Sequence, residues 1–255
     1  MKSVLVTGAA SGLGRHLALA YAGEGCRVYA ADRDRGGLET LESERIVPLV
    51  MDIAQPEAWD KTALPRIETE GGLDAVVACA AVMRLGNAED CLMEDWQFVN
   101  SVNLTAQFIT AKKTLKYLKV RRGSLLFIGS PAARLAVRDE VCYVTFKHAL
   151  CGLSKSIAFD FGAEGVRCNV LHPGWMRTAM SDREMEEIME RRGLTLEEAY
   201  AYVTRFVPLK RPGGLDEIAG AALFLTSDKA SYITGAELMA DGGLTVVDPG
   251  MVGFL

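Results

Sequence analysis

The 255-residue sequence lacks the patterns of a metal or disulfide protein. Its six cysteines, Cys26, Cys79, Cys91, Cys142, Cys151 and Cys168, contain no C-x-x-C pair, and its three histidines, His16, His148 and His172, fall at no metal-ligand spacing with them. No metal site is therefore expected, and the cysteines read as buried, reduced thiols of a cytoplasmic protein. Long apolar stretches are missing too. The longest, Ala75 to Met83, ends at Asp74 and Arg84 and is about half the length a membrane helix needs. Met1-Lys2 runs straight into Ser3-Val4-Leu5-Val6-Thr7, so neither a secretory leader nor a membrane anchor is expected. Basic charge is scarce: 28 Lys and Arg against 33 Asp and Glu give a net charge of −5, which argues against a nucleic-acid partner. With 49% hydrophobic and 24% charged residues, the composition is that of a packed globular chain.

Short apolar runs alternate with longer stretches of helical period. Val4 to Val6, Val28 to Ala31, Ile46 to Val50, Ala75 to Val77, Leu125 to Ile128, Val166 to Leu171 and Glu237 to Ala240 read as strands. Leu13, Leu17, Ala20 and Tyr21 mark the apolar face of a first helix. Further helices are expected near Leu38 to Leu41, from Pro56, and over Leu92 to Leu118, Val141 to Phe161 and Leu215 to Leu225. Strands apolar on both faces belong in a parallel sheet covered on both sides. Right-handed crossovers then give a doubly wound α/β fold, a three-layer α/β/α sandwich. The alternation never breaks and no linker interrupts it, so residues 1–255 are expected to form a single domain. Residues 179–210, charged and rich in Met, depart from the rhythm and are expected to form a helical lid over a substrate.

Thr7-Gly8-Ala9-Ala10-Ser11-Gly12-Leu13-Gly14 joins the first strand to the first helix. Gly8 permits a tight turn, Gly12 lets the backbone approach a ligand, and Gly14 allows close packing of helix on sheet. Such a loop aims the N-terminus of the helix at a pyrophosphate. Asp32, 18 residues past Gly14, follows the second strand, where a carboxylate can accept both ribose hydroxyls of an adenosine. Arg33 beside it offers the opposite reading, a guanidinium that clamps a 2′-phosphate. Asp52 and Ile53, after the third strand, can flank an adenine edge. Tyr143 and Lys147 stand one helical turn apart on one face. Ser130 lies just beyond the strand Leu125 to Ile128, at the carboxyl edge of the sheet, where open α/β sheets bind ligands. Asn103 falls inside the long helix expected before that strand, where an amide is unfavourable unless it has a compensating use.

Thr7 to Gly14, Asp32, Asp52, Asn103, Ser130, Tyr143, Lys147, Pro173-Gly174 and Asp241-Gly242-Gly243 occur in the order and spacing of the short-chain dehydrogenase/reductase family, which the chain resembles over essentially its whole length. Arg211-Pro212-Gly213-Gly214 through Ile233-Thr234-Gly235 also looks like the family's ending. The resemblance implies a Rossmann-like seven-stranded sheet, a nicotinamide cofactor and interconversion of a secondary alcohol with its ketone. Tyr143 would then be the acid/base. Lys147 would favour the phenolate by its charge and bind the nicotinamide ribose. Ser130 would fix the substrate oxygen, and Asn103 would hold a water linking Lys147 to solvent. Gly8, Ser11, Gly12, Leu13, Gly14, Asp32, Asp52 and Ile53 would bind the nucleotide, with Pro173, Gly174, Met176 and Thr178 carrying the carboxamide. The resemblance also implies a homotetramer paired through the helices at 92–118 and 143–161. The tail Val246 to Leu255, largely apolar and beyond the last strand, is expected to pack at a subunit interface.

The chain departs from the family in having Ala78-Cys79-Ala80-Ala81 where Asn-Asn-Ala-Gly is usual, Phe146 before the lysine, and Gly129 in place of a frequent Ser. The first change removes amides that tie neighbouring strands. It is the one feature favouring a weakly catalytic, nicotinamide-binding regulatory protein, and the intact Asn103, Ser130, Tyr143 and Lys147 oppose that reading. Sugar-nucleotide epimerases and dehydratases share the Tyr/Lys pair but usually carry a longer C-terminal substrate domain. The expected enzyme is an NAD-dependent alcohol dehydrogenase, because the charge of Asp32 would repel the 2′-phosphate of NADP. Arg84, Arg134 and Trp175 are the expected substrate contacts. A mixed apolar and basic lining fits a small polar alcohol (sugar, polyol, diol or hydroxy acid), with reduction of an acyl or steroid ketone as the alternative.

Overall fold

The inner strands are buried on both faces, and that property sets the architecture. The protein was analysed as a computed structural model, which describes residues 1–41, 43–248 and 250. In chain order the elements are β1 (Ser3–Thr7), α1 (Gly12–Gly23), β2 (Arg27–Asp32), α2 (Arg35–Glu39), β3 (Ile46–Val50), α3 (Pro56–Ala58), α4 (Leu64–Thr69) and β4 (Ala75–Ala78). There follow α5 (Met93–Asn100), α6 (Ala106–Arg121), β5 (Ser124–Ile128), α7 (Val141–Phe161), β6 (Arg167–Pro173), α8 (Ala179–Arg192), α9 (Leu196–Val203), α10 (Leu215–Thr226) and β7 (Glu237–Ala240). The seven strands form one parallel sheet in the order β3-β2-β1-β4-β5-β6-β7. The chain starts in the middle, winds out to β3 and returns to β4, so the switch point lies between β1 and β4.

Alternate strand residues feed two apolar layers. Leu5, Val76, Leu125 and Phe127 face Trp59, Tyr117, Leu118, Leu150 and Ile157 on one side. Val4, Val6, Val28, Leu126 and Ile128 face Leu13, Leu17, Ile218, Ala222 and Leu225 on the other. Full burial of each such side chain stabilises by about 1.5–3 kcal/mol.

The helix expected over 92–118 is interrupted. α5 and α6 are joined by a π turn, Ser101–Thr105, and Asn103 sits in that turn rather than in regular helix. The lid region consists of α8 and α9. α8 buries only Met185, against Ala199 and Tyr200 of α9, so the pair has a small core of its own. α9 opens on a capping box in which Thr195 and Glu198 satisfy each other's backbone N–H. No helix of the described residues is long and apolar enough to cross a membrane. The end of the tail singled out above, residues 251–255, lies outside the described residues, as does Pro249.

Candidate active site

The glycine loop leaves β1 at Thr7 and enters α1 under tight constraint. Gly8 has φ +69°, and a Cβ there would lie 2.8 Å from Ala80 Cα. A Cβ on Gly14 would stand 2.1 Å from the Gly8 carbonyl oxygen. Ser11, the residue before α1, is extended and makes no side-chain cap, and the first turn carries no acid. Among the described residues no protein acceptor meets the N–H groups of Gly12, Leu13 or Gly14. Bare N–H groups at a helix N-terminus, with no side chain in the way, fit a pyrophosphate.

Asp32 closes β2 beside this loop. Its Oδ2 accepts from Ala10 N at 3.1 Å and its Oδ1 from Asp34 N at 3.0 Å. The carboxylate is thereby aimed, and its remaining lone pairs can take ribose hydroxyls. Arg33 is exposed. Asp52 accepts from Ala54 N at 2.9 Å, while buried Ile53 lends its carbonyl to Trp59 Nε1 at 3.0 Å.

The segment after β4 is tied down without the usual asparagines. Thr7 Oγ1 accepts from Cys79 N and Ala80 N at 3.1 and 3.3 Å. Gln107 Nε2 donates to Ala80 O at 2.7 Å. Asn103 grips Val82 on both sides, its Oδ1 accepting from Val82 N and its Nδ2 donating to Val82 O, each at 2.8 Å. This is the compensating use of an amide in a helix, and it is a positional one. Cys79 occupies the place of an amide between Asp32 and Lys147, and burial pushes its thiol up to about 12.

Ser130, Tyr143 and Lys147 converge at the carboxyl ends of β5 and β6. Ser130 is extended and caps the short turn Pro131–Ala133, accepting from Ala132 N at 3.2 Å. Lys147 is buried and donates to Ile128 O at 2.8 Å, with Nζ 5.4 Å from the Tyr143 ring centroid. Burial holds Lys147 down at about 8. Burial also raises Tyr143 well above a free phenol, against the pull of the Ser130 hydroxyl. Desolvation dominates at Tyr143; the phenolate is expected to gain from the charge of Lys147 together with that of an oxidised nicotinamide. Glu184 and Glu140 add to that rise.

β6 ends at Pro173, and Gly174 N donates to Ala240 O at 3.0 Å. Thr178 comes within van der Waals reach of a Cβ built at Gly12, so the two halves of the site meet there. Its hydroxyl caps α8 by accepting from Ser181 N at 3.3 Å. The Met176 carbonyl accepts from the Tyr200 hydroxyl at 3.3 Å.

The expected substrate contacts are largely engaged elsewhere. Arg84 pairs with Asp95 at 3.3 Å and lies over Phe98. Arg134 turns to Glu237 at 2.8 Å. Arg177, also in this segment, grips Glu197 through two nitrogens. Trp175 packs against the small lid core and lines a separate cavity of about 180 Å³ with Val207, Leu209 and Ile218. Each of these arginines has a carboxylate within reach, and Arg84 and Arg134 remain about half exposed.

The acids at the site were missed. Glu140 precedes α7 and Glu184 lies on α8, both partly buried, and neither makes an ion pair among the described residues. Burial raises each carboxyl to about 7. Glu140 stands three residues before Tyr143, a spacing that could have marked it. Nothing local marks Glu184.

The family model described as enoyl-(acyl carrier protein) reductase matches residues 8–245. Protein MoaE of Klebsiella aerogenes is 50% identical over 147 residues, a match spanning 57% of each chain. D-threitol dehydrogenase of Mycolicibacterium smegmatis is 33% identical over 252 residues, covering 96% of this chain and 93% of that one. The ligand-free aldohexose dehydrogenase of Thermoplasma acidophilum is a structural neighbour with a TM-score of 0.89 at 30% identity, covering 97% of this chain and 95% of that one.

Proposed function

Because the chain belongs to the short-chain dehydrogenase/reductase family, oxidoreductases of alcohols and ketones that use NAD(P), we propose that it oxidises an uncharged, polyhydroxylated secondary alcohol with NAD. The observation that carries this reading is the convergence of Ser130, Tyr143 and Lys147 at the sheet edge, beside a glycine loop with bare helix N–H groups. Ser11, Gly12, Leu13 and Gly14 hold the pyrophosphate, Asp32 the adenosine ribose, Lys147 the second ribose, and Pro173 to Thr178 the carboxamide side. When bound, the oxidised nicotinamide would supply the hydride acceptor and a positive charge that favours the phenolate.

The Ser130 hydroxyl orients the substrate oxygen, and Tyr143 takes its proton as the carbonyl forms. The Tyr143 oxygen must shed its own proton first, which burial resists, so the charge of Lys147 matters most once the site is filled. Asn103 anchors the Val82 backbone at the mouth of the site.

Substrate charge follows from the neighbours of Tyr143. A substrate carboxylate would meet Glu140 and Glu184, while Arg84, Arg134 and Arg177 are already paired. Hydroxy acids are therefore disfavoured, and polyols or sugars, whose hydroxyls donate to carboxylates, are favoured. The relative that acts on D-threitol supports this class.

NAD is favoured over NADP because Asp32 is fixed at the ribose position by two backbone donors. A homotetramer is supported by apolar residues left exposed on α6 and α7, among them Phe108 and Phe159. Six free thiols support a reducing, cytoplasmic setting.

A cofactor-reduction screen over polyols, sugars, hydroxy acids and steroids tests the reading. Polyols or sugars are expected to be turned over, hydroxy acids not. Tyr143→Phe should cut turnover about a thousandfold while leaving NAD binding intact. Turnover confined to hydroxy acids would refute the substrate class, and a fully active Tyr143→Phe the mechanism. A monomer by light scattering would refute the assembly.

A further inference from the structure

Behind Ser130 lies a buried polar row that the reaction scheme does not use. His172, in β6, is fully buried. Its Nδ1 lies 3.1 Å from Ser130 N and 2.8 Å from Ser130 O, so either tautomer is bonded to the Ser130 backbone. On the other edge of the ring, Nε2 lies 3.6 Å from Glu237 Oε2 and 4.0 Å from Cys151 Sγ.

Glu237 opens β7 and is itself held by Arg134 and Lys155, each at 2.8 Å. Arg134 directly follows the turn that Ser130 begins. The segment 130–134 thus has one carboxylate near both ends: the His172 ring, bonded to Ser130, brings Nε2 to within 3.6 Å of it without a hydrogen bond, and the Arg134 guanidinium pairs with it directly. Cys151, His172 and Glu237 bring their ligand atoms within 4.8 Å of one another, the arrangement of a metal site. Two cations already neutralise the carboxylate, however, and a divalent ion would have to displace them.

Residue 129 fits the same arrangement. A Cβ at Gly129 would stand 2.4 Å from His172 Nδ1 and 2.6 Å from Cε1. The imidazole fills the space that the more usual serine at 129 would need, and the glycine is what admits the ring.

We propose that His172 is a positioning residue for the reaction: together with Glu237 and Arg134 it clamps the Ser130 turn and so sets where the Ser130 hydroxyl meets the substrate oxygen. The inference rests on the role given to Ser130 above. Burial lowers the affinity of His172 for a second proton, in keeping with a neutral ring that bonds and orients. A misplacement of the Ser130 oxygen by about 1 Å is enough to cost as much as a hundredfold in rate.

The test pairs a structural readout with a kinetic one. Hydrogen exchange by mass spectrometry over residues 129–135 is compared in the native protein, His172→Leu and His172→Asn, whose side-chain amide can place a polar atom near that of Nδ1. Leu should speed exchange in this segment about tenfold, and Asn should restore protection. NAD affinity, by fluorescence titration, should stay within about twofold for both. With the best polyol or sugar from the screen, Leu should lower kcat about tenfold or more with KM little changed, and Asn should recover most of the loss. Native exchange rates in His172→Leu would overturn the proposal, as would an Asn variant no better than Leu. Should His172→Leu not fold, Gly129→Ser is compared alone and with His172→Ser. The double variant should be the more active and better protected of the two, and the reverse order overturns the clamp. The exchange arm needs no substrate, so failure of the clamp is separable from failure of the functional reading.

Discussion

The nucleotide side of the site is made of backbone, and the substrate side is made of side chains. Around α1, ligand space is defined by glycines whose missing Cβ atoms would collide with Gly8 O or Ala80 Cα, and the donors are main-chain N–H groups. Around Tyr143 the chemistry rests on Ser130, Lys147, Glu140 and Glu184, set on the turn after β5, on α7 with its N-cap, and on α8. The first region gains rigidity because it has nothing to repack, whereas the second gains selectivity because each group can be altered separately. A generic ligand part and a specific one are thus met by different kinds of construction.

Gly14 is the position at which the backbone-built region tolerates least. A methyl group there has nowhere to go, since its nearest neighbour is backbone at 2.1 Å. Gly14→Ala should cost about a hundredfold in NAD affinity by titration, or should prevent folding outright. Retained affinity would show that the loop yields and that its backbone is not rigid.

Asp32 is the exception on the nucleotide side, a side chain aimed by backbone. Asp32→Ser should lower the NAD-to-NADP ratio of kcat/KM at least tenfold, about 1.4 kcal/mol, by removing the charge that repels a 2′-phosphate and leaving Arg33 beside it. A wild type that already prefers NADP would reverse the assignment.

Glu184 sharpens the contrast through pH. Its folded value, raised to about 7 from an ordinary 4.5, means that the folded protein holds a proton the unfolded chain has released. The stability this confers is complete below pH 4.5 and is lost as pH rises through about 7. Glu184→Gln should therefore equal the native protein at pH 4 and exceed it at pH 8 by about 1 kcal/mol, allowing for partial access of water to the carboxyl. Urea unfolding at the two pH values measures this. Equal stabilities at pH 8 would place Glu184 in open water.

Much of the site could be read from sequence because its signals are local. The glycine loop, Asp32 and the Tyr143-Lys147 pair each declare themselves within one turn or one strand, and the alternating pattern predicts the parallel sheet. The rest depends on contacts across the chain. Asn103 reaches 21 residues to Val82, Gln107 reaches 27 to Ala80, and His172 reaches 42 to Ser130. The partner of Arg134 was hidden for the same reason: the guanidinium stands near Ser130 in sequence, while Glu237, with which it pairs, lies on the last strand. The loss of the usual asparagines looked like a loss of rigidity because the replacement ties, from Thr7 and Gln107, come from other elements.

The π turn at Ser101–Thr105 makes the helix around it sensitive to counting. Each residue in a regular helix advances the side chains by about 100°. Ahead of the turn, α5 presents Val99 and Trp96 to the α7 wall, where the Trp96 and Phe146 ring centroids lie 4.8 Å apart. Removing one residue from the turn would make the helix regular and more favourable in isolation, yet would swing that wall contact away by nearly a third of a revolution. This stretch of sequence should therefore tolerate exchanges of residue type far more readily than any change of length.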